Sequence, residues 1–170
     1  MSWRVLILPY LDAKDLYYEF HLDEPWDSPH NRALITKMPA TYRCPGGANE
    51  LALEGKTRYL APRGAGTIFR GAEPVKIREV TDGTATTIMV VDAGDDNAVV
   101  WTKPDDWEVD PEPKTAAILK SHTGGRRGSG TNALFADGSV LFLSERIAPA
   151  VFRALLTSKG GEVIESGDLR

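Results

Sequence analysis

The chain is short of cysteine, of long apolar runs and of positive charge. Cys44 is the single cysteine in 170 residues, which excludes an intrachain disulfide and an all-cysteine metal cage. No run approaches the roughly 18 apolar residues that a membrane-spanning helix needs. The opening MSWRVLILPYL is apolar but has neither the charged start nor the small-residue cleavage site of a signal peptide. The formal net charge is −4, and the one basic cluster, Arg126-Arg127 with Lys120 nearby, is too small to grip a polyanion. Nucleic acid is therefore not an expected partner.

Forty-two per cent of residues are hydrophobic and 26% are charged, a balance that suits a soluble globular protein. The length suits one domain over residues 1–170 with a real core. Trp3 to Leu8 is a compact apolar run closed by Pro9 and reads as a strand. Asp12 or Asp15 is placed to cap a short helix carrying Leu16, Tyr17 and Phe20 on one side. HLDEPWDSP (21–29) reads as a loop. Ser28 then caps a helix with Pro29 in its first position, running to about Lys37, and Pro39 stops it.

The period changes in the middle of the chain. TYRCPGG, KTRYLAP and TIFRG read as short strands between glycines and prolines. Thr86 to Val91 is rich in β-branched residues, and DAGDDN connects it to Ala98–Trp101, which predicts a buried hairpin. KPDDWEVDPEPK (103–114) is acidic and broken by proline, as a surface loop is. Asn132–Ala136 and Ser139–Leu143 flank Asp137-Gly138, the strongest hairpin signal in the chain. It predicts a two-residue turn with positive φ at both central residues. PAVFRALLTSKGG reads as a terminal helix begun by Pro149 and stopped by Gly160-Gly161. Short helices, then antiparallel strands, then a helix make an α+β fold.

Four places carry chemistry worth weighing. SHTGGRRGSGTNALFADGSV (121–140) is rich in glycine, but no lysine follows its last glycine and a strand follows where a phosphate-binding helix belongs. Arg126 and Arg127 are left as contacts for an anion or an acidic partner. His122, Asp137 and a nearby serine make a nominal hydrolase triad without the G-x-S-x-G elbow. Asp92, Asp95, Asp96 and Asn97 supply dense oxygen ligands of the kind Ca²⁺ takes, outside any EF-hand spacing. Trp26, Trp101 and Trp107 lie in or beside Pro- and Asp-rich loops, where aromatics line a glycan or solute groove or pin the loop to a core. His21 and His30 flank the first loop with no metal-ligand spacing.

SWRVLILPYLDAKDLYYEFHLDEPWDSPHN, YRCPGG, TDGTATTIMVVDAG, WTKPDDW and H…FADGSVLFLSE, taken in order, resemble the prepilin-type processing-associated His-x-Asp-Gly domain family of bacteria. The resemblance implies a pseudopilin-like fold, with short N-terminal helices packed on an antiparallel sheet and a C-terminal helix. His122 and Asp137-Gly138 would be its signature residues. Fourteen residues lie between His122 and Asp137, more than the family pattern has, and the surplus is GGRRGSG. Members carry a pilin-like leader and hydrophobic helix ahead of such a domain, and these are expected to be missing here. Any membrane contact would run through that helix. The function so implied is a non-enzymatic structural or interaction domain of the cell envelope, periplasmic or extracellular. It would work by protein contacts or self-assembly, and a calcium-binding loop near the sheet is a further expectation of the resemblance.

Overall fold

The computed structural model describes residues 1–45, 48–71, 74–109 and 130–164. Its helices are α1 (Trp3–Leu6), α2 (Lys14–Glu19), α3 (Pro29–Ala33), α4 (Asn49–Leu53) and α5 (Pro149–Leu156). Its strands are β1 (Lys56–Thr57), β2 (Tyr59–Leu60), β3 (Pro62–Arg63), β4 (Ile88–Asp92), β5 (Val99–Val100), β6 (Trp107–Glu108), β7 (Gly130–Phe135) and β8 (Val140–Ser144). The architecture is α+β, with its main sheet antiparallel. No helix among the described residues is long and apolar enough to cross a membrane.

Two compact units form, Met1–Arg58 with Asp95–Asp105, and Tyr59–Gly94 with Asp106–Arg170. In the first, the apolar run at the start is a helix and not the expected strand. Ser2 is its N-cap, its hydroxyl accepting the Arg4 N–H at 3.2 Å, and Val5 and Leu8, three residues apart, are both fully buried. A cap followed by buried residues at that spacing is helix chemistry. Val5, Leu8, Phe20, Leu34, Met38, Tyr42 and Trp101 form one apolar cluster. Trp101 lies edge-on to Phe20 with ring centres 5.6 Å apart and is stacked with Tyr42 at 5.8 Å. Its indole N–H donates to the Ile35 carbonyl at 2.9 Å, so its polar atom is satisfied in the dry interior.

Ser28 caps α3 as expected, accepting from Asn31 N–H at 3.2 Å with Pro29 in the first position. The helix tightens into a 3₁₀ turn over Leu34–Lys37 ahead of Met38, whose backbone is extended as a residue before proline prefers. β1 pairs with β5, Lys56 opposite Val100 and Thr57 opposite Val99.

The second unit holds a four-stranded antiparallel sheet in the order β2-β4-β7-β8. β4 has β2 on one side and β7 on the other, so both its ladder edges are taken. The hairpin expected between β4 and Ala98–Trp101 therefore does not form, and β5 pairs with β1 instead. Leu60, Ile88, Val91, Ala133, Phe135 and Leu143 bury one face of the sheet, and α5 supplies Phe152, Leu155 and Leu156 to the buried set. Phe152 stacks on Trp107 with ring centres 6.1 Å apart, while β3 and β6 run parallel. Pro149 does begin α5, but the helix stops at Leu156, before the glycines. Thr157 is extended at φ −87°, ψ 149°, and its backbone N–H donates to the Ala154 carbonyl at 3.2 Å.

Candidate functional site

β7 and β8 are joined through Ala136, Asp137 and Gly138, and the geometry differs from the expected two-residue turn. Gly138 N–H donates to the Phe135 carbonyl at 3.0 Å, and Phe135 N–H to the Ser139 carbonyl at 2.9 Å. Gly138 has φ +88°, while Asp137 is not among the residues with positive φ. This is a three-residue loop in which a turn is followed by one left-handed glycine. In such a loop only the last residue is left-handed, and the Asp137 side chain is engaged within the turn. Its Oδ1 accepts the Ser139 N–H at 2.9 Å and the Ser139 hydroxyl at 2.7 Å. That hydroxyl, then the backbone N–H, holds the Asp137 carboxyl below the usual aspartate value.

The loop leads into an apolar surface. Val140 is 62% exposed, Leu141 39% and Phe142 46%, three consecutive residues on β8, one of the two edge strands of the sheet among the described residues. Register places Val90 opposite Leu134 and Leu134 opposite Val140, so an apolar row crosses three strands and ends at exposed Val140. A side chain at Gly130 would come within 2.6 Å of the Phe142 ring and also meet the Leu143 carbonyl. Glycine there lets β8 lie close against β7.

Two other polar centres were invisible in the sequence. Asp82 accepts Gly160 N–H at 2.6 Å, Gly161 N–H at 2.8 Å and the Thr157 hydroxyl at 3.0 Å. Asn31 is fully buried and organises the loop that precedes it. Its amide donates to the His21 and Pro25 carbonyls, each at 2.9 Å, and its oxygen accepts the His21 N–H at 3.0 Å. Within that loop His21 and His30 stack face to face, ring centres 3.6 Å apart and 2° from parallel. His21 Nδ1 meets Glu24 Oε1 at 2.9 Å, and His30 Nε2 meets the Glu19 carbonyl at 2.7 Å. Hydrogen bonds from Ser28 and then His21 hold Glu24 below the usual glutamate value.

The other sequence candidates fall as follows. His122, Arg126 and Arg127 lie outside the described residues. Asp92 ends β4 in the second unit, whereas Asp95, Asp96 and Asn97 form a 3₁₀ turn in the first. The Asp95 carboxylate accepts from the Arg58 guanidinium at 2.8 Å. Among the described residues no three His, Cys, Asp or Glu side chains are grouped to hold a metal ion. Trp101 is fully buried and Trp107 is 9% exposed, both set in cores, and Trp26 is half-buried in its loop. Cys44 is half-buried.

Residues 1–66 match a family model, SBP_bac_10, described as a protein of unknown function (DUF1559). The match takes in α1 to α4 and the first three strands. It carries no assigned chemistry. No curated protein and no solved structure matches the chain.

Proposed function

We propose that this is a non-enzymatic structural or interaction domain of the cell envelope, of the minor-pilin or pseudopilin kind, which acts by self-association. The observation that carries the reading is the exposed Val140-Leu141-Phe142 segment on β8. A sheet edge with unpaired backbone groups and apolar side chains is a surface that pairs with another chain. The Asp137-Gly138 loop fixes where that segment begins, and the Asp137 carboxylate is engaged within its own turn. The envelope location, periplasmic or extracellular, rests on the His-x-Asp-Gly family resemblance.

A solute- or glycan-binding module built on Trp26, Trp101 and Trp107 has less behind it. Two of those three rings pack against Phe20, Tyr42 and Phe152 in cores, which leaves one half-buried ring for a ligand. A hydrolase around His122 and Asp137 has less still, because both Ser139 donors already hold Asp137 Oδ1.

Sedimentation velocity over a wide range of protein concentration tests the proposal. Reversible growth of a dimer or larger species is the expected result. A monomer at every concentration would count against self-association as the function.

A further inference from the structure

Nine residues apart in sequence position, His21 and His30 nonetheless meet ring to ring at 3.6 Å. Each ring has one nitrogen committed to an oxygen that only accepts: His21 Nδ1 to the Glu24 carboxylate, His30 Nε2 to the Glu19 carbonyl. Both nitrogens are therefore donors, and a further proton on either ring makes it a cation. The first such charge has a counter-ion in Glu24, which feels both rings. The second would lie face to face with the first, and the carboxylate of Glu19 is already held by Lys37. Of the remaining charges nearby in the chain, Asp23 and Asp27 of the loop and Arg32 of α3 are exposed.

We propose that the His21–His30 stack is a pH-sensitive clasp, tight when at most one ring is charged and loosened when both are, so that the loop between them, still held by Asn31, opens more often. Histidine is the side chain that changes charge between pH 5 and 8. Two like charges about 4 Å apart in water disfavour the closed form by a factor of about five. The opened segment would include Trp26 and the Glu24 N–H, which donates to the His21 carbonyl at 3.1 Å in the closed form.

Amide hydrogen exchange at His21 and Glu24, corrected for the intrinsic pH dependence, tests this in the intact chain between pH 8 and pH 5. Protection is expected to fall by about fivefold on acidification. His30→Phe keeps a stacking ring that takes no proton and should hold protection level across the range. Glu24→Gln removes the counter-ion, so its loss of protection should begin at higher pH than in the parent chain. Equal protection at both ends of the range in the parent would overturn the clasp, as would a His30→Phe curve that follows the parent. Should His30→Phe leave the loop open at every pH, Glu24→Gln decides: an earlier loss supports the clasp and an unchanged curve overturns it.

Discussion

The Asp82 carboxylate accepts the backbone N–H of Gly161 at 2.8 Å across 79 residues of chain. With Gly160 N–H and the Thr157 hydroxyl, it fixes the segment that follows α5 to the Asp82-Gly83 turn. Asp82→Ala removes all three acceptor contacts and leaves two N–H groups to find water. The expected loss is about 2 kcal/mol, the scale for hydrogen bonds to a charged group, read as a lower urea midpoint at unchanged slope. An unchanged midpoint would show that the segment is held by its other contacts, among them Ser158 N–H to the Gly66 carbonyl and Thr81 N–H to the Ser158 carbonyl, each at 2.9 Å.

Asn31 is the corresponding centre of the first unit. Asn31→Leu keeps the branched shape but strands the His21 N–H and two carbonyls inside the protein. Stability should fall by about 2–3 kcal/mol, lowering Tm by roughly 4–12 °C for a chain of this size. Asn31→Asp keeps the acceptor for the His21 N–H but sets a carboxylate oxygen against the His21 and Pro25 carbonyls, so it should be no more stable than Asn31→Leu.

The β7–β8 loop has a conformational and an ionic component. Gly138→Val forces a β-branched residue to φ +88° and should cost about 1–3 kcal/mol; the site is otherwise open, with no atom near the added Cβ. Asp137 titrates below the ordinary aspartate value in the folded chain. Its contribution is therefore present above the unfolded value and is lost as pH falls through the folded one. The Ser139 amide resonance should report that loss, and Asp137→Asn should abolish the acid transition at Ser139.

Tyr42 behaves in the opposite sense at alkaline pH. Its hydroxyl donates to the Arg4 carbonyl at 2.6 Å in the core, and burial pushes its ionisation well above the usual tyrosine value. The folded chain thus holds the neutral phenol while the unfolded chain ionises near pH 10. Stability from this source is complete below that pH and falls as pH rises beyond it. Tyr42→Phe should cost about 1 kcal/mol at neutral pH and show a shallower alkaline decline in urea unfolding.

Local signals were legible in the sequence where the partners are near neighbours. Ser28-Pro29 begins α3, Pro149 begins α5, and the Asp-Gly pair lies between β7 and β8. What failed was arbitration between local alternatives. Trp3–Leu8 is a short apolar run without a period of its own, and Ser2 just before it was the cap that marks a helix. The Asp137-Gly138 pair announced a turn but not its length: with Ala136 the loop has three residues, and only Gly138 is left-handed. β4 read as half of a hairpin because the sequence does not show that β2 and β7 take both its edges. Asp82, Asn31 and the paired histidines depend on partners that only the folded chain assembles. His122, Arg126 and Arg127 lie outside the described residues.

Phe142 is 46% exposed and is the central residue of β8, the strand proposed to pair with a second copy. The most direct measurement is sedimentation velocity of Phe142→Lys beside the parent chain, with circular dichroism to show that the fold is kept. A charge on an edge strand opposes pairing with another strand. Loss of the associated species in a folded Phe142→Lys variant is the predicted result. Association equal to that of the parent would contradict β8 as the surface through which this domain works.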